Sequence, residues 1–166
     1  MVTIQQIVQL LGLRPLPIEG GFFAETYRAA EQIPAVALPA RYGGARPCGT
    51  AIYYLLTPES CSRLHRLLTD ETWHFYLGDP VELLQLQPDG TGEVVPLGMD
   101  LPAGQRPQRT VPRGVWMGAR LRPGGQLALL GTTMAPGFIP ADFEAGEREA
   151  LLRAYPAFAE WIVALT

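Results

Sequence analysis

Lysine and asparagine do not occur in this 166-residue chain, histidine and cysteine occur twice each, and charged residues make up only 17%. The missing lysine and asparagine are read as the codon bias of a GC-rich genome. All 13 cationic side chains are therefore arginines, against 16 acidic ones, and the net charge is −3. They form no basic run able to neutralise several phosphates, which excludes nucleic acid and an anionic membrane as partners. No apolar stretch reaches the roughly 18 residues of a membrane span. The N-terminus MVTIQQIVQLLGLRP has neither a basic n-region nor a small-residue cleavage site, so a cytoplasmic location is expected. Cys48 and Cys61 lie in no CxxC pair, which favours buried, reduced thiols over a disulfide or a zinc site.

The chain is rich in apolar residues, at 48%, and in turn formers, with 18 glycines and 16 prolines spread along its length. That distribution suits many short strands joined by tight turns and argues against a helical bundle. The length suits one domain, taken as residues 1–166. Ile4, Ile7, Val8, Leu10 and Leu11 recur at helical spacing behind a possible Thr3 cap, and Gly12 ends that helix. A strand follows at FFAETYRA (22–29), then a long loop over 30–49, then the apolar run TAIYYLLT (50–57). Strand-like segments then recur about every ten residues, the spacing of sandwiches and barrels: SRLHRLL, ETWHFYLG, VELLQLQ, EVVPLG, QRTV, VWMGARL and QLALLGTTM. Two short helices close the chain, the first starting near Ala141 or Asp142 and Pro156 interrupting between them.

The two histidines, His65 and His74, fall within ten residues of Asp70 and Glu71. On a regular strand Arg63 and His65 share a face, and after a turn at 68–70 the returning strand sets Glu71 or His74 beside them. A carboxylate there orients the imidazole and raises its pKa, which makes a general acid or base. Against this stands the ordinary alternative of one satisfied histidine and an ion pair in a hairpin. Tyr53, Tyr54, Trp73, Phe75, Tyr76 and Trp116 flank the segment as rings that could line a pocket or simply fill a core. Glu25 and Tyr27 share a strand face, and Glu19 precedes Gly20-Gly21, where a positive φ is expected.

These residues resemble the motifs of the cupin fold. Its first motif places a glutamate and a glycine with six residues between them, matched by Glu71 and Gly78, with His65 near the second histidine position. Its second motif is similar to Pro112-Arg113-Gly114, with Met117 and Leu121 at the two polar positions. The blocks EGGFFAETYRA (19–29), TAIYYLLT (50–57), HRLLTDETWHFYLGDP (65–80), VPRGVWMGARL (111–121) and APGFIPADFE (135–144) together resemble the cupin-5 subfamily. The resemblance implies an all-β double-stranded β-helix, the cupin jelly-roll barrel, with short N- and C-terminal helices. It also implies a homodimer, related in shape to nucleotide-sugar epimerases and seed storage proteins.

A typical cupin metal site uses three histidines and a glutamate. The equivalent positions here are Arg63, His65, Glu71 and Met117, and a guanidinium and a thioether are poor company for a hard divalent ion. No cofactor is expected; were a metal to bind, His65 and Glu71 are its candidate ligands. The expected function is a metal-free small-molecule site, carbohydrate being one candidate ligand. In an epimerase- or isomerase-like reaction His65, Glu71 and a tyrosine such as Tyr76 move protons. Glu25, Tyr27, Tyr53, Arg63, Trp73, His74, Trp116 and Met117 are the candidate contacts, with Arg63 for an anionic group. The alternatives are a binding protein without turnover, a metal-dependent cupin enzyme and a purely structural barrel.

Overall fold

The computed structural model describes residues 2–166. In chain order its regular elements are α1 (Ile4–Leu11), β1 (Arg14–Pro15), β2 (Phe22–Arg28), β3 (Gln32–Ile33), β4 (Arg46–Pro47), β5 (Thr50–Leu56), β6 (Cys61–Leu67) and β7 (Glu71–Gly78). They continue as β8 (Val81–Leu86), β9 (Gly92–Leu97), β10 (Gln108–Val111), β11 (Trp116–Leu121), β12 (Ala128–Met134), β13 (Phe143–Ala145), α2 (Arg148–Ala154) and α3 (Ala159–Ala164). One antiparallel sheet has the order β1-β2-β5-β12-β7-β10 and faces a second of order β13-β6-β11-β8-β9. This is an all-β jelly roll, of the kind that the strand spacing suggests and that the resemblance to cupins implies. Among the described residues no helix is long and apolar enough to cross a membrane.

Strand alternation sorts the side chains. Tyr54, Leu56, Trp73, Phe75, Val81, Leu83, Val95, Met117, Ala119 and Leu130 meet between the sheets in the main core. The outer face of the first sheet is covered by α1, whose Ile7 packs with Leu55 and Leu129. Thr3 caps that helix in a reciprocal box with Gln6, and Gly12 closes it at φ 62°. The outer face of the second sheet is covered by α2 and α3 through Leu151, Tyr155, Ile162 and Leu165 against Leu64, Leu84 and Leu86.

The C-terminal helix starts later than the sequence suggests. Asp142 does not cap a helix; its carboxylate takes a bidentate pair of bonds from Arg46, at 2.9 and 2.5 Å, with both side chains buried. The other Arg46 donors reach the carbonyls of Tyr42, Gly44 and Ala45, so the whole guanidinium is satisfied. This lock fastens the long 30–49 loop to the segment after β12. The helix itself begins at Arg148 behind Glu147, whose carboxylate accepts from the backbone N–H groups of Glu149 and Ala150.

Candidate functional site

The register of the strands places polar side chains opposite one another between the sheets. Across the second sheet His65, Met117, Gln85 and Glu93 occupy one row of β6, β11, β8 and β9. Across the first sheet Ile52, Thr132, Trp73 and Arg109 form another row, on β5, β12, β7 and β10. Glu71 stands one interior position before Trp73 on β7, beside Met134 and Val111.

His65 reaches this belt because β6 carries a bulge. Met117 pairs with His65 but Ala119 pairs with Ser62, so three steps of β6 oppose two of β11. The extra residue turns Ser62 and His65 inward together and sends Leu64 to the outer helices. Arg63 therefore does not share the face of His65, as a regular strand would require. It is exposed, and its guanidinium donates to the carbonyls of Pro17 and Ile18 at 3.3 and 3.4 Å. His65 is 1% exposed, with Nδ1 at 2.7 Å from the Arg63 carbonyl and its ring stacked on Phe143 at 5.0 Å. A neutral ring that donates Nδ1–H to this carbonyl keeps its lone pair on Nε2.

The Leu16–Gly21 strap brings a second carboxylate to the interior. Gly20 and Gly21 have φ of 99° and 68°, as expected for the glycine pair. A Cβ on Gly20 would run into the Cys61 carbonyl. The strap is held by Arg63 N–H to Glu19 O at 2.7 Å and by the Tyr54 hydroxyl donating to Gly20 O at 2.8 Å. The Glu19 side chain then accepts from the Ser62 hydroxyl at 2.8 Å. Burial, reinforced by the Glu19 charge, pushes the Tyr54 hydroxyl well above its usual pKa. Burial likewise pushes Glu71 up to about 7, with Glu19 adding to the rise and His65, Thr132 and Trp73 partly opposing it.

Among the described residues, several buried polar atoms on or next to these rows make no hydrogen bond of normal geometry: both amide atoms of Gln85, Glu71 Oε2, Trp73 Nε1 and Arg109 Nε. Gln85 and Trp73 are fully buried and Glu71 is 7% exposed. Each such atom costs about 1–3 kcal/mol in a dry core, and they gather toward one end of the barrel.

Of the residues named from the sequence, His65, Glu71, Trp73 and Met117 come together in the interior. Tyr54 and Phe75 pack in the same core, and the others are placed elsewhere. His74 points to the outer face of its sheet, between Thr133 at 2.9 Å and Gln108 at 3.2 Å, and partial burial lowers its pKa. It is Glu71, not His74, that faces inward. Tyr76 stacks on His74 and meets Tyr53 edge-on, so all three rings lie outside the barrel. Trp116 packs with the C-terminal helices under the Arg66 guanidinium. Glu25 is exposed and paired with Arg28, and Tyr27 is exposed. Met117 and Phe75 pack in the core, while Trp116 does not reach it. Gln85, Glu93, Arg109 and Thr132 were not indicated by the sequence. The signal available was a glutamine among leucines in VELLQLQ, where Val81, Leu83 and Gln85 share a face.

The donor set does not fit the three-histidine-and-glutamate metal site of a typical cupin. Beside His65 in its row stand a thioether and an amide, Met117 and Gln85. Among the described residues no three His, Cys, Asp or Glu side chains converge as ligands.

Comparison with known proteins agrees with the architecture. The chain is 31% identical over 155 residues to the uncharacterized protein YML079W of Saccharomyces cerevisiae, covering 86% of this chain and 73% of the yeast protein. Among solved structures it is similar to protein SO0799 of Shewanella oneidensis, with TM-score 0.87, 33% identity and coverage of 100% of this chain and 98% of that one. A hypothetical protein from Leishmania major gives TM-score 0.88 at 30% identity, with 99% of each chain covered. Oxalate decarboxylase from Bacillus subtilis shares the fold, at TM-score 0.53 and 14% identity over 92% of this chain and 36% of that one. Residues 5–146 match the family Cupin_5, described as Cupin superfamily (DUF985), and the chain belongs to that family.

Proposed function

We propose that this protein binds a small polyhydroxylated molecule, of the carbohydrate class, between its two sheets. The observation that carries this reading is the fully buried Gln85, both of whose amide atoms lack a partner among the described residues, in the same row as His65 with Met117 between them. An amide with both its donor and its acceptor free, an indole N–H and a carboxylate oxygen form the mixed array that hydroxyl groups satisfy. A cleft of about 220 Å³ is lined by Arg66, Leu67, Gly114 and Phe143, whose ring stacks on His65. It is the approach route in this reading.

Titration calorimetry with neutral monosaccharides, D-glucose first, tests the reading on the parent protein and on His65→Ala and Glu71→Ala. Both variants are expected to fold, by circular dichroism, and to lose binding. A folded variant that binds as the parent does removes the site.

A second reading, turnover by proton transfer as in an isomerase or epimerase, is favoured by Glu71. Its pKa of about 7, next to an imidazole, lets it give or take a proton near neutral pH. Incorporation of solvent deuterium into a bound sugar, absent in Glu71→Gln, is the expected sign. We also propose a homodimer through the part of the outer face of the first sheet that α1 leaves open, where Tyr27, Tyr76 and Leu77 are exposed. Light scattering that returns the monomer mass of 18.1 kDa would contradict it.

A further inference from the structure

Arg109 and Glu93 stand on the edge strands β10 and β9, one in each sheet, and their side chains join in an ion pair across the gap. Arg109 is in register with Trp73 and Glu93 with Gln85, so each is the outermost member of a row of the polar belt. The pair is therefore the side wall of the interior at that edge. It is an incomplete pair: only Arg109 Nη2 reaches Glu93, while Nε is buried without a partner.

The Nε and Nη2 atoms of a guanidinium form a fork that takes two oxygens of a carboxylate or phosphate in parallel bonds. Glu93 occupies one prong and leaves the inner one free. An incoming oxyanion that displaces Glu93 gains both prongs and satisfies Nε. Glu93 is already 49% exposed and returns to water. Arg63, the cation first expected to hold an anionic group, is committed to strap carbonyls outside the barrel.

We propose that Arg109 anchors the ligand through an oxyanion and that Glu93 is its resident latch, so that the site selects hydroxylated small molecules carrying a carboxylate or phosphate. This rests on the interior binding site proposed above and names its ligand class and a specificity-determining residue. The acidic groups of the site, Glu71 on β7 and Glu19 on the strap, lie on other rows, where they face the hydroxylated part of the ligand with His65.

The test is titration calorimetry with D-glucuronate and D-glucose, which differ in one carboxylate, on the parent, Arg109→Met, Arg109→Lys and Glu93→Gln. Arg109 and Glu93 are part exposed at strand edges, and circular dichroism checks that each variant folds. The parent is expected to bind glucuronate about tenfold more tightly than glucose, a preference of the size one forked charge pair supplies. Arg109→Met is expected to abolish the preference while glucose still binds, and Arg109→Lys, which keeps the charge but not the fork, to lose most of it. Glu93→Gln is expected to tighten glucuronate alone. Equal binding of the two sugars by the parent, or a preference that survives Arg109→Met, overturns the anchor and leaves the interior site standing. Binding of neither sugar nor D-glucose 6-phosphate overturns both. Glucuronate with no response and D-glucose 6-phosphate with an Arg109-dependent one would assign the oxyanion to a phosphate.

Discussion

Replacing Glu71 by glutamine should make the ligand-free protein more stable, and only above the acid range. In the fold the carboxyl titrates at about 7, against 4.5 when unperturbed, because burial and the nearby Glu19 charge penalise the ionised form. A raised carboxyl pKa means that the folded state holds its proton more tightly than the unfolded chain does. Stability from this group is thus full below pH 4.5 and is lost as the pH rises to about 7. A gap of that size corresponds to about 3 kcal/mol at pH 8. Glutamine is close in shape to the protonated acid and cannot ionise.

The variant should therefore match the parent at pH 4.5 and exceed it by about 3 kcal/mol at pH 8, or very roughly 6–12 °C in Tm for a chain of this length. Urea unfolding followed by tryptophan fluorescence at a series of pH values measures the difference directly. Titrating groups distant from Glu71 cancel in the comparison, since they are common to both proteins, and the charges that couple to it, Glu19 and His65, contribute to the measured difference. If parent and variant run parallel from pH 4.5 to 8, Glu71 is not the buried, charge-averse group described here. The same buried acid would then be unavailable to the proton transfer proposed for it.

Asp142→Ala leaves the Arg46 guanidinium buried without its counter-ion and should cost about 3–5 kcal/mol in urea unfolding; a loss below about 1 kcal/mol would show that the loop lock is not what holds residues 30–49. Gly20→Ala forces a side chain into the Cys61 carbonyl at a φ of 99°. It should lower stability by about 2 kcal/mol or more through the left-handed backbone and the clash, and an unchanged Tm would mean that the strap is free to move. Thr3→Ala removes the α1 cap and should cost about 1 kcal/mol, read from the shift in denaturation midpoint; no shift would mean that α1 contributes little to the cover of the first sheet.

The alternation of apolar residues and the regular turn residues carry the strands, and the 3.6-residue spacing with Thr3 and Gly12 carries α1. Those signals are local, and the elements follow them closely. What crosses between elements was not legible. Arg63 looked like a partner of His65 because strand period alone cannot reveal that β6 has one residue too many opposite β11. Trp116 and His74 alternate correctly, yet which face of a strand is the inside depends on the sheet opposite. Asp142 reads as a helix cap until Arg46, 96 residues earlier, takes its carboxylate. Gln85, Glu93 and Arg109 belong together only through strand pairing and the facing of two sheets, and nothing in their immediate neighbours signals it.

The interior is divided along the barrel axis. Val81, Leu83, Val95, Leu97, Leu121 and Ala128 fill one end with aliphatic side chains, and the polar rows occupy the other. A dry end fixes the spacing of the sheets, so the groups at the polar end are held by backbone register rather than by one another. That is why Gln85 and Trp73 can keep unpartnered atoms without collapsing onto each other: their strands are anchored by the apolar rows beside them. The loss of the fold's usual metal ligands fits the same arrangement. With Met117 between His65 and Gln85, the row carries hydrogen-bonding groups where a metal site would need further ligands, and in the proposed site these groups take the place of a single cation. Binding by several weak partners is tuned at the edge of such an array, where a residue can change without disturbing the core. In this barrel the edge position is the Arg109–Glu93 pair, which makes β9 and β10 the place where relatives with different ligands should differ first.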